Sequence, residues 1–152
     1  PPPPPPPPPP FFFQAEDGLL AVERSRGLGD VYKRQEAGWG RIINFAGMNA
    51  IHGYNGRAHV SAAKHATWGL TKALAKEFGP RGITCNIISP GPIAGERNDL
   101  KMAAHIEEMV DQVPVGRLGK GEEVAAVCSL LASTNGSFIN GQMIQVNGGA
   151  QT

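Results

Sequence analysis

Lys64 lies near the start of a long alanine-rich stretch, one helical turn after Val60, in His59-Val60-Ser61-Ala62-Ala63-Lys64. Residues four apart share a helix face, so a hydroxyl at position 60 would stand beside the lysine ammonium, where the two could handle a proton together. Position 60 offers an isopropyl group instead. Other groups able to exchange a proton lie close in sequence: His52 and Tyr54 in the preceding loop, and His59 itself. His59 projects about 100° round the helix from Val60, so it does not reproduce the missing geometry, and a polar contact at the helix start is its plainer role. Tyr54 would bring a phenol from a new direction or, more plainly, pack the loop. Lys64 is either a chemical group or a solvated helix lysine.

The elements that must position these groups are legible around them. Arg41-Ile42-Ile43-Asn44-Phe45-Ala46 is a short apolar run between glycines, which predicts a strand buried on both faces. A loop with Gly53, Asn55 and Gly56 leads into a helix over 58–78, whose Ala63, Ala66, Leu70, Leu74 and Phe78 recur at steps of three or four and predict an inward stripe. Gly79-Pro80 stops that helix. Ile83-Thr84-Cys85-Asn86-Ile87-Ile88 predicts a second strand, closed by Ser89-Pro90-Gly91-Pro92. A polar segment from Ala94 leads to a helix near 100–110, and a further helix starts at Glu122 and Glu123, whose charges suit its positive end. Gln142-Met143-Ile144-Gln145-Val146 predicts a last strand. Strands alternating with helices imply right-handed crossovers and a parallel sheet covered on both faces. Ligands of such sheets bind at the carboxyl ends of the strands, the edge that Lys64 is expected to share.

Composition narrows the possible partners. The net charge of +1 carries no nucleic-acid or membrane-surface signal, and no apolar run is long enough to span a bilayer. Cys85 and Cys128 are isolated and show no metal spacing, so no metal site is expected; they read as reduced thiols of a cytoplasmic protein. His65 and His105 read as surface residues, Met48 and Met143 as packing. Residues 1–35 differ from the rest. Pro1–Pro10 have no amide hydrogens to give and favour an extended left-handed helix, and the charged stretch after them shows neither strand nor helix periodicity. Residues 1–35 are therefore set aside as a leader, disordered or artefactual, with a proline-rich recognition arm as the functional alternative. The domain is expected over 36–152.

Three blocks together identify a family. Gly40-Arg41-Ile42-Ile43-Asn44-Phe45-Ala46-Gly47, the run from His59 to Ile93, and the series from Val113 through Gly149 resemble, in order, the short-chain dehydrogenases/reductases, and among them the 3-oxoacyl-carrier-protein-reductase-like members. The resemblance implies an α/β fold: the carboxyl-terminal half of a Rossmann-type doubly wound parallel sheet with flanking helices. It implies NAD or NADP as cofactor, a small carbonyl or alcohol substrate, and a homo-oligomer, dimer or tetramer, through the 58–78 helix and the final helix–strand pair. In that family a tyrosine exchanges the proton, a lysine one turn later binds the nicotinamide ribose, and a serine after the preceding strand hydrogen-bonds the substrate oxygen.

Lys64 matches the lysine; Val60 stands at the tyrosine position and Gly47 at the serine position. Pro90, Gly91 and Ile93 match the turn whose backbone meets the nicotinamide, with Gly95 where a threonine is expected. A positioned general acid contributes about 10²–10⁴ in rate, and one oxyanion-type donor about 10²–10³. The resemblance therefore leaves two readings: an oxidoreductase with an unorthodox proton donor, Tyr54 or His59, or a non-catalytic relative that binds a nucleotide or oligomerises. By either reading the chain alone is expected to be inactive, since the glycine-rich phosphate turn of the family's first half has no counterpart here, and unstable, since the sheet would lose the strand beside 41–46.

Overall fold

The computed structural model describes residues 37–95 and 100–151. The proline-rich leader, and every expectation placed on it, lies outside these residues. Strand β1 (Gly40–Phe45) is followed by a short helix α1 (Asn49–His52) and the long helix α2 (Ala58–Phe78). Strand β2 (Ile83–Pro90), helices α3 (Leu100–Asp111) and α4 (Gly121–Ala132), and strand β3 (Met143–Val146) complete the order. The three strands form one parallel sheet in the order β1-β2-β3.

β2 is the centre of the molecule. Every residue from Ile83 to Ser89 is buried, because β1 and β3 flank it and helices cover it. The sequence placed its end at Ile88, but the strand runs on through Ser89 and Pro90, which pair with Gln145 and Val146 of β3. The ladder also starts before β3 does. The Asn140 side chain accepts from the Cys85 amide at 2.8 Å and donates to the Ala75 carbonyl at 2.9 Å. It supplies an acceptor where no strand partner is yet alongside, and ties α2 to the sheet at the same point. Asn86, fully buried, donates to the Ile139 carbonyl and accepts from the Gln142 amide. A buried polar group is tolerated only with such partners.

Side-chain parity along β1 shows how the helices are layered, since successive residues of a strand point to opposite faces. Ile42 packs with Leu74, Phe78 and Ile83, and Asn44 bonds Thr71, so α2 covers that face. Arg41, of the other parity, reaches the Ser133 carbonyl at the end of α4. β1 departs from the expectation of burial on both faces. It is half-buried, Phe45 is exposed, and among the described residues only β2 pairs with it.

The inward stripe of α2 is also not the one that hydropathy suggests. Ala63 and Ala66 are exposed and Leu70 is 52% exposed, whereas Thr71, Ala75 and Phe78 are buried. The reason is hydrogen bonding: Thr71 is polar in composition, yet its hydroxyl donates to the Thr67 carbonyl at 2.8 Å and accepts from Asn44 at 2.9 Å. Once both bonds are made the side chain is cheap to bury, and the helix is rotated accordingly.

The turn after α2 requires a glycine. Gly82 has φ +73°, and a Cβ there would collide with the Gly38 carbonyl. Among the described residues no helix is long and apolar enough to cross a membrane, and no group of three or more metal-binding side chains occurs.

Candidate active site

The carboxyl edge of the sheet collects the chemistry. Lys64 is half-buried and its Nζ donates to the Phe45 carbonyl at 3.1 Å, at the end of β1. Phe45 pairs in register with Ile88, two residues before Pro90, and the Ala46 amide bonds the Ile88 carbonyl at 2.8 Å. Lys64 thus reaches the strand ends, through a bond that solvent can also reach. Thr71, seven residues on and therefore on the same helix face, clamps α2 to Asn44 one residue before Phe45. Asn44 also reaches the Cys85 Sγ at 3.8 Å. Sequence reasoning passed over this Asn44–Thr71 clamp; the spacing of seven from Lys64 was the available signal.

Burial pushes the Cys85 thiol up to about 11, partly offset by its Thr71 contact. A thiol held protonated and fully enclosed has no nucleophilic role.

Val60 is half-buried in the first turn of α2. Ser61, the neighbouring hydroxyl, cannot stand in for a tyrosine. Its Oγ is buried, has no hydrogen-bond partner among the described residues, and lies 4.0 Å from where a Cβ on Gly53 would be. It faces the overlying loop, closed to any substrate. His59 is exposed and Tyr54 is 61% exposed. Neither is hydrogen-bonded to Lys64 among the described residues. Tyr54 has a partner that sequence reasoning missed: the Arg57 guanidinium lies 5.6 Å from its ring centroid.

Gly47 holds a second surprise. Its φ is +150°, a backbone that L side chains rarely adopt, although a Cβ there would meet nothing within 4 Å. The position has space for a serine but not the backbone for one. Its carbonyl accepts from the Ala50 amide at 2.9 Å as α1 begins.

The Pro90–Ile93 turn is held by backbone bonds. The Gly91 amide extends the ladder to the Val146 carbonyl at 2.9 Å, and Ile93 lies beside Gly119, whose amide reaches the Pro92 carbonyl at 2.9 Å. A Cβ on Gly91 would fall 2.6 Å from Asn147 Cα and Cβ. Glycine is required there by close approach of two chains, not by φ. Gly91→Ala should therefore destabilise the protein by about 1–3 kcal/mol and loosen the turn; denaturant unfolding of the variant against the parent checks this.

A cavity of about 150 Å³ lies beyond β3, lined in part by Pro92, Val113, Val115 and Asn147. It contains none of Lys64, Tyr54 or His59 and is too small for a dinucleotide. Its rim carries the Arg117–Glu123 ion pair, 2.7 Å apart. Glu123 also accepts from the Lys120 amide at 2.8 Å, capping α4. The Arg117 bond, with that amide second, pulls the Glu123 carboxyl down from 4.5 to about 2. A depressed carboxylate stabilises the fold above its unfolded value and loses that contribution as pH falls through the folded one. The stability difference between the parent and Glu123→Gln should therefore be constant above pH 5 and shrink between 4.5 and about 2. Both groups are solvent-exposed, so added salt should reduce it. Denaturant unfolding at pH 6 and pH 3 measures it.

Residues 25–151 match the model of a family described as enoyl-(acyl carrier protein) reductase. Curated relatives agree. Acetoacetyl-CoA reductase of Rhizobium meliloti is 44% identical over 116 residues, covering 76% of this chain and 48% of the relative. The 3-oxoacyl-(acyl-carrier-protein) reductase of Pseudomonas aeruginosa is 40% identical over 114 residues, 75% of this chain and 46% of the relative. The chain belongs to the short-chain dehydrogenase/reductase family.

A solved Beutenbergia cavernae protein of that fold, described as an NAD(P)-dependent gluconate 5-dehydrogenase with NADP bound at low occupancy, superposes with TM-score 0.75 at 32% identity, covering 86% of this chain and 52% of that one. This dehydrogenase/reductase chain spans about half the length of the relatives that it matches. The family match starts at residue 25, inside the segment set aside on composition. The parallel sheet with flanking helices is the Rossmann-type arrangement expected from the sequence.

Proposed function

We propose that this chain is the carboxyl-terminal half of an NAD(P)-dependent oxidoreductase acting on a carbonyl or alcohol, with Val60 and Gly47 at the positions where the family carries its tyrosine and serine. The observation that carries the reading is Lys64, held by a 3.1 Å bond to Phe45 at the carboxyl edge, next to the Pro90–Ile93 turn. Those residues fit the nicotinamide end of the cofactor: an ammonium for the ribose hydroxyls, and a turn whose backbone is pinned by Gly91. The dinucleotide, when bound, supplies or accepts the hydride. The ribose contact and the proton step fall to side chains of this chain. Lys64 orients the ribose, and Tyr54, or else His59, delivers the proton to the substrate oxygen. The relatives' names support the reading, being an acetoacetyl-CoA reductase and a 3-oxoacyl-(acyl-carrier-protein) reductase. The same resemblance points to a homo-oligomer in which the exposed Ala63, Ala66 and Leu70 face of α2 meets a second copy.

A non-catalytic, cofactor-binding role is the second reading, and Gly47 favours it. A backbone at φ +150° suits a glycine and resists the serine that would supply the donor. Single-turnover mixing of the intact protein, loaded with NADPH or NADH, with acetoacetyl-CoA and, separately, with acetoacetate separates the two. Oxidation of bound cofactor that Tyr54→Phe slows by about tenfold or more supports catalysis through Tyr54. Saturable cofactor binding with no oxidation supports the second reading.

A further inference from the structure

Charge is strongly segregated along the wall of the site. Residues 37–76 carry five Lys and Arg side chains (Arg41, Arg57, Lys64, Lys72, Lys76) and three histidines, with no aspartate or glutamate among them. Several of the cations are committed elsewhere. Arg41 serves the α4 side of the sheet, and Lys72 lies 5.0 Å over the Trp68 ring. Those that remain at the amino-terminal end of α2 are His52, Arg57 and His59, all exposed, with Lys64 behind them. Arg57 occupies the cap position of a 21-residue helix whose first turn has no acidic residue and no side-chain cap. No carboxylate pairs with Arg57 among the described residues. Its guanidinium is instead braced on Tyr54, and its amide bonds the Tyr54 carbonyl at 3.1 Å.

A planar guanidinium fork held against an aromatic ring, without a carboxylate partner among the described residues and within a positive field, is suited to bidentate recognition of a carboxylate. We propose that Arg57 anchors a carboxylate of the substrate, so that the substrate class is small oxo acids or hydroxy acids rather than neutral ketones or alcohols. This rests on the oxidoreductase reading for what happens next to the anchor, but not for the anchor itself. Arg57 would be a specificity residue. Its ring partner Tyr54 would then face the same ligand, which places the candidate proton donor beside the carbonyl of an oxo acid.

Calorimetric titration of the intact protein with acetoacetate and with its neutral ethyl ester tests this, with and without saturating NADPH. Acetoacetate should bind at least about tenfold more tightly than the ester at low salt, in line with a charge-assisted pair. Arg57→Gln should abolish that preference while leaving ester binding and the NADPH titration unchanged, and Arg57→Lys should restore part of it. Equal binding of acid and ester, or a preference that survives Arg57→Gln, would overturn the proposal. The cofactor-free titration decides the carboxylate anchor even where NADPH fails to bind, a failure that would count against the oxidoreductase reading instead.

Discussion

Val60→Tyr, made in the intact protein with Tyr54→Phe and His59→Gln already in place, should raise the rate of cofactor-dependent carbonyl reduction by about 10²–10⁴, the usual contribution of a positioned general acid. Three features of the structure lead to that figure. Lys64 already reaches the strand edge, where its Nζ donates to the Phe45 carbonyl. Position 60 lies one turn before it on the same helix face, in a half-buried setting. The neighbouring hydroxyl, Ser61, is enclosed under the loop and does not compete. Gly47→Ser should add less than the 10²–10³ expected of such a donor. The +150° backbone at that position resists any L side chain, at a strain of about 1–3 kcal/mol. Single-turnover cofactor oxidation measures both variants. A Val60→Tyr protein no faster than its parent would mean that Lys64 does not face a reacting centre.

Ile87→Ala should destabilise the fold by about 2–5 kcal/mol, the range for truncating a fully enclosed aliphatic side chain. Ile87 has no exposed surface and sits in the central strand, paired with Asn44 of β1 on one side and Met143 of β3 on the other. The cavity cannot collapse easily, because both neighbours are pinned. Asn44 is clamped to Thr71, and the start of β3 is held by the Gln142 carbonyl, which accepts from the Ile87 amide at 2.9 Å. Equilibrium denaturation of the intact protein gives the number. The surface truncation Leu70→Ala, at a side chain 52% exposed, should cost far less in a monomer, so a comparable loss there would show that a second copy covers α2.

How much of this was readable beforehand differed by residue. Short apolar runs between glycines and prolines located all three strands, and Gly79-Pro80 located the end of α2, because these signals are local. The rotation of α2 was not local. Leu70 outranks Thr71 on hydropathy, yet Thr71 is inside because Asn44, on another element, satisfies its hydroxyl. The half-exposure of β1 was likewise invisible, since burial depends on which strands pair with it. At the site, the type and place of Lys64 were legible and its bond to Phe45 was not. Gly47 read as a lost side chain, and its φ of +150° was not legible. Arg57 escaped notice because no pattern marks it; only its stacking on Tyr54 and the charge segregation around it single it out.

The central claim is that Lys64 serves a nicotinamide cofactor at the carboxyl edge of this sheet. Fluorescence titration of the intact protein and of Lys64→Ala, separately with NADPH and NADH, tests it most directly. Saturable binding of at least one dinucleotide is predicted, weakened about tenfold or more in Lys64→Ala by loss of charge-assisted hydrogen bonds. No saturable binding of either dinucleotide, or binding that Lys64→Ala leaves unchanged, would contradict the account.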